Sequence, residues 1–190
     1  MKKQIRLLGL DDSPFRFSDE KTSIIGVVMR ADGYIECVLR DEITIDGNDA
    51  TSKCIDMIKN TRHYKQIKAI LLDGIALGGF NTVNIKEINL KTKIPIITIT
   101  RDEPNFEKMK KVLIKKFKDW EYRWENISKG ELCKIKTKHN PIYVKSVGID
   151  RSQTEEIIKL STIRGVIPEP IRVAHIIASG ITRGESYGKA

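Results

Sequence analysis

The sequence predicts an α/β fold: one mixed five-stranded sheet, an antiparallel meander followed by parallel βα units, flanked by helices and carrying a C-terminal extension. Three observations predict it. Three short apolar runs open the chain with no helical spacing between them. The pattern then alternates between apolar residues three or four apart and continuous apolar stretches. Asp32-Gly33 stands where a tight hairpin would join the second and third runs.

The first run is Gln4 to Leu10, the second Thr22 to Arg30 (Ile24, Ile25, Val27, Val28), and the third Tyr34 to Ile45. Asp32-Gly33 suits a type I′ turn, whose central residues both need positive φ, so the second and third strands are expected as antiparallel neighbours. After Asp46-Gly47-Asn48-Asp49, residues Ala50, Cys54, Met57, Ile58 and Thr61 recur at helical spacing, with Asn48 or Asp49 as the N-cap. Ile67 to Leu72 reads as a buried strand stopped by Asp73-Gly74. Val83 to Leu90 reads as a short helix and Ile94 to Thr100 as the fifth strand. Strand, helix, strand, helix, strand with short connections implies parallel pairing through right-handed crossovers. With a three-strand meander ahead of it, this is the order of a ribonuclease-H-like fold. A dinucleotide-binding fold would need a glycine-rich loop after the first strand, where this chain has Gly9-Leu10-Asp11-Asp12-Ser13-Pro14-Phe15.

Further on, Pro104 to Trp120 reads as one amphipathic helix, with Phe106, Met109, Val112, Leu113, Phe117 and Trp120 inward and Lys108, Lys111, Lys115 and Lys118 outward. Leu132 to Lys136 and Ile142 to Val147 resemble strands around Lys138-His139-Asn140-Pro141. Ser152 and Glu155 form a capping box for a helix through Leu160. Pro168 and Pro170 open a final helix, Ile171 to Ile181, with Gly184 beyond its end. With no linker or repeat, one domain is expected over residues 1–190.

The chain carries 34 basic against 25 acidic residues, a formal charge of +9, which favours a polyanionic partner. Cys37, Cys54 and Cys133 are odd in number and form no CxxC pair, so neither a disulfide framework nor a zinc knuckle is indicated, and a reducing cytoplasm is expected. The start Met1-Lys2-Lys3 runs into Asp11-Asp12 before a signal-peptide core can form, and no stretch has the ~18 apolar residues of a membrane span.

Asp11 and Asp12 end the first strand and Asp73 ends the fourth, at the edge where α/β sheets collect ligands. If those strands are neighbours, the acids meet, and converging carboxylates suit a hard cation such as Mg²⁺. A third acid is expected from the acidic stretch Asp41 to Asp49, with Asp46 and Asp49 as candidates; an Asp just before a helix is also an ordinary cap. His63, His139 and His175 have no metal-ligand spacing and read as structural. Ser13 and Ser179 lack a nucleophile elbow or a paired base, which argues against a hydrolase triad.

The motifs Gly9 to Phe15, Asp46-Gly47-Asn48-Asp49-Ala50-Thr51, Leu72-Asp73-Gly74-Ile75, and the tail Arg172 to Gly180 with Arg183-Gly184-Glu185-Ser186 together span nearly the whole chain. They resemble the family called domain of unknown function ninety-nine. That family in turn resembles endonuclease V, a metal-dependent nuclease of ribonuclease-H-like fold that cuts nucleic acid near inosine. The resemblance implies that Asp11 and Asp73 are catalytic metal ligands for Mg²⁺ or Mn²⁺. It places Asp49, or Asp46, where endonuclease V has a glutamate, and Arg101, after Ile94 to Thr100, where endonuclease V has its catalytic lysine. Ser13, Phe15, Gly78, Gly79 and Phe80 are the expected substrate contacts. Two features of endonuclease V have no counterpart here: the histidine after its Asp-Gly motif and its proline-rich strand-separating wedge. The expected activity is metal-dependent cleavage of DNA or RNA. The alternative is a non-catalytic nucleic-acid-binding protein that uses its lysines with Arg62, Arg101, Arg172 and Arg183, and a third reading makes the Gly74 to Phe80 loop a pocket for a small nucleotide.

Overall fold

The computed structural model describes residues 4–16 and 18–187; the Met1-Lys2-Lys3 start lies outside the described residues. The chain runs β1 (Arg6–Asp12), β2 (Lys21–Arg30), β3 (Ile35–Thr44), α1 (Ala50–Asn60), β4 (Ile67–Asp73), β5 (Ala76–Leu77), β6 (Asn81–Thr82), α2 (Ile85–Thr92) and β7 (Ile96–Thr100). It continues through α3 (Phe106–Lys116), α4 (Trp120–Ser128), β8 (Cys133–Ile135), β9 (Ile142–Val147), α5 (Arg151–Ser161) and α6 (Glu169–Arg183). The main sheet has seven strands in the order β3-β2-β1-β4-β7-β9-β8. The five expected strands form its first five positions. The two later runs add β9 and β8 antiparallel to them, so the sheet is wider than the five strands expected.

The mixed pairing is as expected: β1, β2 and β3 are antiparallel, while β1–β4 and β4–β7 are parallel. Both faces are covered, so β2 and β4 read as continuous apolar runs rather than alternating ones. Leu8, Leu10, Ile70 and Leu72 meet Ala50, Cys54 and Ile58 of α1 and Ile85 and Ile88 of α2 on one face. On the other, Leu7, Ala69 and Leu71 meet Ile157 and Ile158 of α5 and Ile171 of α6, while Ile25, Val27 and Met29 meet Ala174 and Ala178. The C-terminal segment is therefore a layer of the fold and not an extension appended to it.

Four local expectations are corrected. The β2–β3 turn is not type I′: only Gly33 has positive φ, the Gly33 N–H reaches the Arg30 carbonyl, and the register slips by one between Val28 and Met29, which makes a longer turn with a bulge. Asp49 stands at the N-cap of α1 but makes no capping hydrogen bond there. Asp150 caps α5 by accepting from Gln153 N–H, which leaves Ser152 inside the helix. The long basic helix breaks at Phe117, whose backbone is extended; its ring packs on Phe80 and under the Arg123 guanidinium, so tertiary packing overrides helical periodicity there.

At Gly9 the sheet and α6 approach closely. A Cβ on it would lie 2.3 Å from the Pro170 carbonyl carbon, 2.4 Å from that carbonyl's oxygen and 2.6 Å from Ile171 N. All three are backbone atoms with no rotamer to relax into, so the first turn of α6 rests directly on the strand.

Candidate metal centre

Parallel pairing with Leu10 opposite Leu72 sets Asp11 and Asp73 side by side at the carboxyl ends of β1 and β4. Because side chains alternate along a strand, both acids point to the α6 face, opposite to Leu10 and Leu72. Gly9 admits the start of α6 at the same place, and one helical turn beyond Ile171 the helix presents His175. Its Nδ1 lies 2.8 Å from Asp11 Oδ2. Asp11, Asp73 and His175 each offer one ligand atom, all within 4.8 Å of one another, with Asp11 buried and the other two partly so.

The electrostatics favour a cation. Burial and then the Asp11 charge push the Asp73 carboxyl up to about 6, while Arg101 and His175 pull it down. The hydrogen bond that His175 makes to the Asp11 carboxylate raises the His175 pKa. Asp12 points to the opposite face and accepts the Gly78 N–H at 3.0 Å. Burial and the Asp11 charge push it up to about 7. A site that must shed protons from crowded carboxylates is relieved by a divalent cation. Two carboxylate oxygens and one imidazole nitrogen could hold a divalent cation that keeps waters in its remaining positions.

These shifts have a measurable consequence without metal. Asp12 and Asp73 keep their protons in the folded state to about 7 and about 6, whereas the unfolded chain releases them near 3.8, so folding stability falls as pH rises through that window. The raised pKa of His175 acts in the same direction, its contribution being lost as pH rises through the folded value. Between pH 5 and pH 8 in a chelator, Asp12 and Asp73 together lose about 4 kcal/mol at about 1.4 kcal/mol per pKa unit, so at about 2–4 °C per kcal/mol the melting temperature is expected to drop by roughly 8–16 °C. A scan that rises across this window contradicts the assignment.

Arg101 follows β7, and its charge reaches both Asp73 and His175. It lines a cleft of about 880 Å³ that His175 also borders. The structure does not bring Asp49 to this group. Its Oδ2 accepts from the Thr44 hydroxyl at 2.9 Å and its Oδ1 from Asn81 Nδ2 at 2.6 Å. Burial opposes ionisation of Asp49, yet the bonds from Asn81 and Thr44 outweigh it and hold the carboxyl below its usual range. Asp46 is equally committed: its Oδ1 accepts the Phe80 N–H at 2.8 Å.

The expected substrate contacts divide. Gly78 touches Asp12, Gly79 packs on Asp46, and Phe80 leans on Phe117 while its carbonyl accepts from Arg123 Nη1 at 2.6 Å, so this loop is fastened to the protein's own frame. Ser13 is buried just past Asp11, its N–H bonded to the Ser23 carbonyl, and Phe15 is half-buried beyond it. His175 is the member of the group that spacing alone missed. It lies one position from Ala174 on a helix whose Ala174 and Ala178 face the sheet, and 164 residues separate it from Asp11, so only the paired fold could bring the two together. No helix among the described residues is long and apolar enough to cross a membrane.

Residues 3–182 match the family described as endonuclease dU. A UPF0215 protein of Methanosarcina mazei is 50% identical over 193 residues, covering 100% of this chain and 97% of its own length. The crystal structure of a protein of unknown function from Archaeoglobus fulgidus superposes with a TM-score of 0.82 at 37% identity, covering 93% of this chain and 97% of that one. Endonuclease V of Ciona intestinalis, in complex with a 24mer DNA containing an inosine followed by a ribo-adenosine, superposes with a TM-score of 0.59 at 15% identity over 89% of this chain and 82% of that one. The last likeness is one of fold, and it is the ribonuclease-H-like fold expected from the order of elements.

Proposed function

The chain belongs to the endonuclease dU family, and from that premise we propose that it is a metal-dependent endonuclease that cuts a phosphodiester bond of nucleic acid beside an altered base. The convergence of Asp11, Asp73 and His175 beside a cleft bordered by arginine carries this reading. Asp11 and Asp73 would hold the ion, with His175 completing one side. A divalent cation bound there supplies Lewis acidity, lowering the cost of ionising a water and of gathering negative charge on a phosphate. Arg101 grips non-bridging phosphate oxygens through its planar fork and, unlike lysine, has no proton to give, so it acts as a clamp and not as an acid. The family's description names dU and the Ciona enzyme's DNA holds an inosine, so deoxyuridine and inosine are the two bases to test.

The experiment is nicking of labelled single- and double-stranded DNA and RNA carrying one deoxyuridine, one inosine or neither, in Mg²⁺, Mn²⁺ or a chelator. Cutting that needs the metal and disappears in Asp11→Asn is the expected result. Cutting by Asp11→Asn at the wild-type rate overturns the ligand assignment. Salt-sensitive binding with no cutting in any arm leaves the non-catalytic alternative, since phosphate contacts alone make affinity fall steeply with salt.

A further inference from the structure

The cleft beside the metal centre is far larger than the acid group itself requires. Its walls come from four separate places: Arg101 after β7, Asn140 and Tyr143 of the β8–β9 hairpin, Arg172 and His175 of α6, and Tyr187 beyond that helix. At about 880 Å³ it lies toward the upper end of the roughly 300–1,000 Å³ that ligand clefts span. Arg101 and His175 belong both to the cleft and to the surroundings of Asp73, so an occupant of the cleft is continuous with whatever sits at the acids.

We propose that this cleft holds two or three unpaired nucleotides flanking the bond that is cut, their bases stacked on Tyr143 and Tyr187. The proposal rests on the nuclease reading above and adds the form in which the strand must arrive. Both rings are prepared in the same way. Lys134 Nζ lies 5.5 Å from the centre of the Tyr143 ring, and the Arg183 guanidinium lies 4.7 Å from that of Tyr187. A cation over one face of a ring that also borders a cavity favours a base on the ring's remaining surface. Tyr187 is 61% exposed, a large aromatic surface left in water at the cleft's rim. Bases inside a duplex have both faces covered by their neighbours, so only an unpaired strand can offer them to these rings. Asp102 and Glu103 also border the cleft, and they keep the phosphates to the side of Arg101 and Arg172, the latter held in place by Glu169.

The test reads binding and not cutting. Fluorescence anisotropy in a chelator compares labelled oligothymidylates of two, four and six nucleotides with a blunt duplex, for the wild type, Tyr187→Ala and Tyr187→Phe. The expected result is tighter binding of the tetramer than of the dimer, about ten-fold weaker binding by Tyr187→Ala with an unchanged melting temperature, and recovery in Tyr187→Phe. Binding of the hexamer by Tyr187→Ala within two-fold of the wild type, or duplex binding as tight as single-strand binding, overturns the proposal. A wild type that binds in this way yet cuts nothing keeps the cleft assignment and loses the nuclease reading. A protein that cuts while ignoring Tyr187 does the reverse.

Discussion

Asp73→Asn is expected to lower metal-dependent cleavage by about 10³-fold or more, a rise of about 4 kcal/mol in the barrier, while making the metal-free protein melt at a higher temperature. The two effects have one cause. Asp73 is held at the carboxyl end of β4 where burial and the Asp11 charge both disfavour its ionised form. The amide keeps the shape of the carboxyl, exchanges one accepting oxygen for a donating NH₂ and removes the charge, so the metal-free fold is relieved of a repulsion and the cation loses a ligand. The paired measurement is a thermal melt with and without Mn²⁺. The wild type should gain about 2–3 kcal/mol at one hundred times the dissociation constant, and Asp73→Asn should gain little. If the variant melts lower than the wild type without metal, or keeps the full gain with it, Asp73 is a structural acid and not a ligand.

The second large effect is expected from Gly9→Ala, a change of one methyl group. Overpacking a core usually costs about 1–3 kcal/mol because side chains give way, and here the methyl group would meet the backbone of Pro170 and Ile171, so about 3 kcal/mol or more is expected. At roughly 2–4 °C per kcal/mol this lowers the melting temperature by about 6–12 °C or more. Activity should fall further than stability explains, because lifting the first turn of α6 moves His175 off Asp11. Gly26→Ala is the control. Its Cβ would meet Met57 Sδ at 3.0 Å and Leu10 Cδ2 at 3.2 Å, side-chain ends that can shift, and Leu39 Cβ at 3.2 Å, all farther off than the backbone atoms at Gly9, so the cost should be below that at Gly9. Equal melting temperatures for the two variants would refute the argument.

What the sequence made legible follows the range of the interactions involved. The five central strands and the mixed pairing could be read because hydrophobic periodicity is local, and Ile67 to Leu72 carries the continuous apolar signature of a strand covered on both faces. Asp11 and Asp73 could be singled out because each ends a strand, a position fixed by a few neighbouring residues. His175 could not, because its role depends on α6 docking over Gly9, a contact that no window along the chain contains. The structure leaves Asp49 outside that group for a related reason. The residues that occupy its carboxylate, Thr44 and Asn81, come from two other strands, and the cap position that spacing assigned correctly says nothing about where the side chain turns. The break at Phe117 belongs with these: Phe80 and Arg123, which draw the ring out of the helix, are respectively far away in sequence and inside the next helix.

The 164 residues between Asp11 and His175 also set a clock on the molecule. A ribosome adding about 5–20 residues per second needs roughly 8–33 s to cover that distance. Throughout that interval the emerging chain carries its aspartates without the imidazole that completes them. The group of two carboxylates and an imidazole is complete only when almost the entire length of the chain has left the ribosome and the last helix has settled onto the first strand.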